Sequence, residues 1–179
     1  MNYMGRKYNK KDMVFCIIYC NDAKPYENYN EFLNSNNESV RNKCNTKTSM
    51  VLAQMRTDGL IGFPGGGVKK HHSDLIDALR SELREEINFT ELDESRLVKM
   101  RTSINNKRHI TIYNYKVSYN ELKEIWKNSN NGEHAISENC GTILLNLDKN
   151  YVSNILRHKF IGTSLEDLKV LIGREGLIK

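Results

Sequence analysis

Three glutamates, Glu82, Glu85 and Glu86, stand at i, i+3 and i+4 in a stretch that reads as helix, so their carboxylates project from one face of its last two turns. Neither feature favours a bare helix. Like charges at this spacing cost roughly 0.2–0.5 kcal/mol per pair, and anions near a helix C-terminus oppose the macrodipole. Positive charge has to offset them. Arg80 and Arg84 offer one solution, a solvated charge network with no further purpose. A hard divalent cation, Mg²⁺ or Mn²⁺, offers another, because it takes oxygen ligands and neutralises phosphate oxygens bound beside them. The residues just upstream favour the cation. In Gly62-Phe63-Pro64-Gly65-Gly66-Gly67, proline fixes its own φ and lacks an N–H, while the glycines permit positive φ and close backbone approach to a ligand. These residues are expected to form a tight glycine loop after a strand, outside regular structure.

The helix that must carry the glutamates is predicted over 74–87. Ser73 suits its N-cap, Asp74 and Asp77 suit its first turn, and Leu75, Ile76, Leu79, Leu83 and Ile87 form one apolar face. Asn88 suits the left-handed position that ends it. Buried strands are expected at 12–19, 49–56 and 142–147, and a strand with two differently used faces at 109–117. Ser118 and Glu121 make a capping box for a short helix through Trp126, stopped by Ser129-Asn130-Asn131-Gly132. Thr163 and Glu166 repeat the signature before the stripe Leu165, Leu168, Leu171 and Ile172, which Gly173 should stop. Strands and helices mix along the whole chain, so an α/β class is expected, a mixed β-sheet between helices. Residues 21–48, rich in Asn, Ser, Lys and Glu, are expected to be a long surface loop. That loop and a second over 103–108 are expected to shape the substrate site.

The chain has 179 residues, 39% of them apolar, which suits one core and a single domain over 1–179. Its apolar runs are far short of the roughly 20 residues a bilayer crossing needs, and no apolar segment follows its first residues. It is therefore expected to be neither secreted nor associated with a membrane. Cys16, Cys20, Cys44 and Cys140 form no CxxC pair and are expected as reduced, buried thiols. A net charge of +5 favours anionic partners such as nucleic acid or phosphorylated metabolites. His71 and His72 are expected to face solvent, Glu133 and Glu138 to lie in a solvated loop, and Trp126, beside Leu122 and Ile125, to serve packing or a dimer contact rather than base stacking.

Residues 67–89 resemble the Nudix box, whose pattern is Gly, five residues, Glu, seven residues, then Arg-Glu-apolar-any-Glu-Glu-any-Gly-apolar. Starting it at Gly67 puts Glu82, Leu83, Glu85, Glu86 and Phe89 in register. Met55-Arg56, Asp58-Gly59, Gly62-Phe63-Pro64-Gly65-Gly66, Val68 and Phe160-Ile161-Gly162 extend the likeness to one branch, the small nucleolar RNA-decapping Nudix hydrolases that also act as inosine diphosphatases. The resemblance implies the Nudix α/β/α sandwich and a metal-assisted attack of water on a phosphoanhydride phosphorus. By it, Glu82, Glu85, Glu86 and the carbonyl of Gly65 are the metal ligands for Mg²⁺ or Mn²⁺, and Glu85 and Glu86 the catalytic residues, Glu85 as ligand or base. Arg56, Phe63 and Gly66 fall to substrate binding, although a solvated strand-end Arg and a core Phe are the plain alternatives. Capped RNA or (deoxy)inosine-type purine nucleotides are the implied substrates, with a homodimer and a nuclear or nucleolar location; no targeting signal leaves a cytoplasmic one open.

Three box positions depart from the pattern. Ser73 replaces a Glu that this branch also lacks, Ser81 replaces the Arg that orients the acidic residues, and Asn88 replaces the Gly. Arg80 or Arg84 is expected to stand in for the missing Arg. Residues 21–48 look like an insertion, and Phe15 and Ile104 stand where the decapping enzymes have histidines that contact base and metal. Two other functions stay open: a catalytically weak Nudix-fold scaffold for RNA or protein, and an ADP-ribose or dinucleotide pyrophosphatase.

Overall fold

The computed structural model of the chain describes residues 12–27, 34, 36–105 and 108–178. In chain order the elements are β1 (Asp12–Ala23), α1 (Glu38–Asn45), β2 (Thr48–Arg56), β3 (Ile61–Gly62), β4 (Gly65–Gly67), α2 (Leu75–Ile87), β5 (Leu97–Asn105), β6 (Arg108–Lys116), α3 (Tyr119–Asn128), α4 (Ala135–Glu138), β7 (Asn139–Asn146), α5 (Val152–Ile155) and α6 (Ser164–Glu175).

Strand β1 sits at the centre because both of its faces are apolar. Val14, Cys16, Ile18 and Cys20 are buried on one side, Ile17 and Tyr19 on the other. It runs parallel to β6 along its length; its opposite edge pairs antiparallel first with β4 and then with β2. Strand β2 continues onto β3 and β7, and β5 closes the far side against β6. Leu79, Leu83 and Ile87 of α2 and Leu122 and Ile125 of α3 cover one face. Val152 of α5 and Leu168 and Leu171 of α6 cover the other. This is the expected three-layer α/β/α arrangement around a mixed sheet. No helix of the described residues is long and apolar enough to cross a membrane.

Since Leu83 is fully buried between α2 and the sheet, Leu83→Ala is expected to cost about 2–5 kcal/mol. The check is a lowered urea midpoint at unchanged slope.

Several expectations are corrected. Residues 21–48 are not one long loop: β1 runs on to Ala23, and α1 opens where Asn37 Oδ1 accepts from Ser39 N at 2.9 Å. The rest of that stretch, 28–33 and 35, lies outside the described residues. Ser103 and Arg108 belong to β5 and β6 rather than a loop. The glycines of β4 form a short strand on β1, with Gly65, Gly66 and Gly67 opposite Phe15, Val14 and Met13, because backbone pairing needs no side chain. The Thr163 hydroxyl donates to Asp167 Oδ2 at 2.9 Å and caps no backbone N–H, so the second capping box is not made. Helix α6 continues through Gly173 and ends at Gly176, whose φ of +58° suits the left-handed stop. Cys140 is exposed; Cys16, Cys20 and Cys44 are buried, as expected. The Ser118–Glu121 capping box is present.

Candidate active site

Helix α2 begins one residue later than expected. Asp74, not Ser73, is its N-cap: Asp74 Oδ1 accepts from Ile76 N and Asp77 N, each at 2.8 Å, while Ser73 N donates to Asp77 Oδ2 at 2.8 Å. Asn88 ends it at φ 52° in the left-handed conformation, as its short polar side chain allows. With both ends fixed and the apolar stripe on the sheet, Glu82, Glu85 and Glu86 come to lie over β4, each only 8% exposed.

The glycines of β4 touch these carboxylates directly. Gly65 N donates to Glu86 Oε2 at 2.8 Å, and a Cβ on Gly66 would lie 2.6 Å from Glu82 Oε2. Around Glu85 the polar partners are denser. Ser81 Oγ donates to its Oε1 at 2.7 Å and Lys69 Nζ to its Oε2 at 3.0 Å, with His134 Nδ1 3.5 Å from the same oxygen. Lys69 Nζ also lies 3.8 Å from Glu82 Oε1. The Ser81 hydroxyl, and after it the Lys69 ammonium and His134, hold the Glu85 carboxyl below the usual carboxylate range against the opposing effect of burial. Glu85 is therefore ionised at neutral pH.

Lys69 brings positive charge to two of the three carboxylates, Glu85 and Glu82. Arg80 turns away to Glu94 at 2.7 Å, and Arg84, more than half exposed, stays 3.9 Å from Glu85. Of the two arginines expected to replace the missing box Arg, Arg80 does not reach the site and Arg84 pairs with Glu85 only at 3.9 Å; Ser81 and Lys69 make the shorter contacts. His72 supports the turn that carries Lys69. It is buried, not solvent-facing as expected, and its Nδ1 accepts from Lys69 N at 3.1 Å; burial keeps its pKa below the ordinary histidine value. Among the described residues no three His, Cys, Asp or Glu side chains have the spacing of a preformed metal site. The donor set nonetheless suits a hard cation, with three buried carboxylates beside backbone and a positive charge already seated between two of them.

The glutamates and glycines form one wall of a cleft of about 870 Å³. Arg56 and Phe63 both line it, as does Phe15. Arg56 is held by Asp58, to which its Nε and Nη2 donate at 3.2 and 3.0 Å. Phe63 is mostly buried, its ring centroid 6.4 Å from that of Phe160, so its cleft role is that of a wall. Ile104 is 72% exposed on β5 and lies outside the cleft lining. Trp126 Nε1 donates to Thr142 O at 2.8 Å and ties α3 to β7; Glu133 is exposed, as expected, whereas Glu138 closes helix α4 rather than lying in a loop.

Sequence reasoning missed Lys69, His134, Gln54 and Asp167, all in the cleft lining. His134 arrives on the turn after α3, whose backbone is locked to α2: His134 N donates to Glu85 O at 2.8 Å, and a Cβ on Gly132 would lie 2.6 Å from that oxygen. Asp167, at the start of α6, accepts from Arg101 Nε at 2.5 Å and from the Thr163 hydroxyl. No local signal marks either residue.

A family described as Nudt16-like, U8 snoRNA-decapping enzyme-like, matches residues 29–178. The U8 snoRNA-decapping enzyme of Homalodisca vitripennis is 33% identical over 145 residues, which cover 78% of this chain and 68% of that protein. The protein of the same name from Mus musculus is 60% identical over 37 residues, 21% of this chain and 19% of the mouse protein, a local likeness. Among solved structures, a mutT/nudix family protein from Listeria innocua shares the fold with a TM-score of 0.60 at 15% identity, over 96% of both chains.

Proposed function

Because the chain belongs to the Nudt16-like family of U8 snoRNA-decapping enzyme-like Nudix hydrolases, we propose that it cuts a phosphoanhydride bond in the 5′ cap of RNA and in (deoxy)inosine-type purine nucleoside diphosphates. The observation that carries this reading is the gathering of three buried carboxylates over a glycine strand, at the wall of a cleft of nucleotide size.

Glu82, Glu85 and Glu86, with the Gly65 carbonyl, would hold Mg²⁺ or Mn²⁺. Bound there, the cation supplies neutralisation of phosphate charge and lowers the pKa of a bound water. The chain's own groups do the rest. Glu85, kept ionised by Ser81 and Lys69, accepts the proton of the attacking water. Gly66 leaves the space at Glu82 that a side chain would fill, so phosphate oxygens approach the carboxylates closely. Arg56 is assigned to substrate phosphate or base, and Phe63 to the wall against which the base lies. The net charge of +5 favours a polyanionic substrate. The same reading assigns the protein to the nucleus, nucleolus or cytoplasm, and to a homodimer that sedimentation equilibrium would detect.

The test is product release from capped RNA, inosine and guanosine diphosphates and ADP-ribose, with Mn²⁺, Mg²⁺ or chelator. Cation-dependent turnover led by capped RNA or inosine diphosphate is expected. Preference for ADP-ribose would move the assignment to a general pyrophosphatase, and silence of a folded protein on every substrate would make it a scaffold.

A further inference from the structure

Buried polar atoms without a hydrogen-bond partner are costly, so each one in a native fold calls for an explanation. Seven side chains among the described residues carry such an atom, and Gln54, through its Nε2, is the one of them in the cleft lining. Gln54 is 3% exposed. On β2 it stands opposite Gly62 of β3, which has no side chain to offer, and opposite Thr142 of β7. Two residues on, Arg56 points to the same side of the strand and also lines the cleft. Asp167, the acidic group of the cleft remote from the glutamates, already accepts from Arg101 and Thr163. Gln54, its amide donor buried at the wall, and Arg56 thus stand side by side in the lining of the cleft that the proposed substrate would enter.

We propose that Gln54 is a substrate-binding residue whose Nε2 donates a hydrogen bond to an acceptor oxygen of the purine nucleotide, a bond that the free protein does not make. The inference rests on the nucleotide-hydrolase reading and adds to it a donor beside Arg56. Its consequence is unusual for a buried polar side chain. A structural glutamine would be missed by the fold, whereas one that waits for a ligand costs the free protein stability and returns it on binding.

Gln54→Leu separates these roles, with Gln54→Met as a second apolar variant should leucine not fold. The free variant is expected to melt at or above the wild-type midpoint. Its KM for inosine diphosphate should rise about tenfold, the weight of one good hydrogen bond, with kcat within about threefold. Calorimetric binding of inosine and of inorganic pyrophosphate then locates the acceptor: a loss confined to inosine puts it on base or sugar, and a loss confined to pyrophosphate puts it on the phosphates. A lowered midpoint with unchanged KM would overturn the proposal. Should wild type turn nothing over, calorimetric binding of inosine diphosphate still decides: wild-type binding that the variant matches refutes the role of Gln54 alone, and no wild-type binding refutes the nucleotide reading with it.

Discussion

Replacing Glu86 by Gln is expected to lower cation-dependent kcat/KM by about a hundredfold or more, equivalent to about 2.7 kcal/mol at the transition state, while the protein stays folded. The substitution is nearly isosteric, and a glutamine oxygen can still accept from Gly65 N, the bond that ties α2 to β4 at 2.8 Å. What it removes is one of three negative charges gathered within reach of a cation. Divalent-ion ligation depends on that charge, and the chemistry at phosphorus depends on the ion. Unfolding midpoints, Mn²⁺ titration by electron paramagnetic resonance and kcat/KM on the same samples would separate the effects. The expected pattern is an unchanged or slightly raised midpoint, since one like-charge repulsion is gone, with weaker Mn²⁺ binding and collapsed turnover. Activity within about threefold of wild type would exclude Glu86 from the site.

The second large effect is expected at Gly65. Its φ of +140° is a conformation that side-chain-bearing residues rarely adopt, and a Cβ there would lie 2.2 Å from Val14 O and 2.6 Å from Phe15 Cα. Both obstacles are backbone of the central strand, which cannot retreat without breaking its pairing. Gly65→Ala is therefore expected to cost about 2–6 kcal/mol, the sum of backbone strain and overpacking, against a total of roughly 5–15 kcal/mol for a domain of this kind. Gly66→Ala makes the contrast. Its added Cβ would meet the Glu82 carboxylate at 2.6 Å, the far end of a flexible side chain. That variant should fold nearly as well as wild type and lose activity, because Glu82 is pushed from its place. Urea unfolding of the two proteins beside kcat/KM would show it, and a Gly65→Ala midpoint equal to wild type would contradict the account of β4.

These contrasts follow from which parts of the molecule are local. Helix α2 is legible because its ends, its apolar stripe and its three glutamates all lie within one short stretch; only the choice between adjacent caps, Ser73 or Asp74, was decided by geometry. The central strands β1 and β2 are legible because their residues are apolar on both faces. Strand β5 is not. It lies at the end of the sheet order, and Lys99, Arg101, Thr102 and Ser103 interrupt its alternation. Helix α1 is hidden in a polar stretch where its Asn37 start signal is one asparagine among several. The glycine strand β4 arises only from its pairing with β1, a contact no local pattern announces.

The site divides in the same way. Its carboxylates and glycines sit at fixed local spacing, whereas Lys69, His134 and Gln54 reach the cleft through folding. Ser81 shows the limit most clearly. The sequence marks the loss of a box arginine there, but the shorter ion pair to Glu85 comes from Lys69, off the helix altogether, at 3.0 Å against 3.9 Å for the neighbouring Arg84.

Water attack on a phosphoanhydride phosphorus is the central claim, and turnover of capped RNA and inosine diphosphate in ¹⁸O-labelled water tests it most directly. The account predicts one labelled oxygen per bond broken, found in a phosphate-bearing product by mass spectrometry, with Mn²⁺ or Mg²⁺ present and not with chelator. Label in the sugar, equal turnover in chelator, or no turnover by the folded wild-type protein would contradict it.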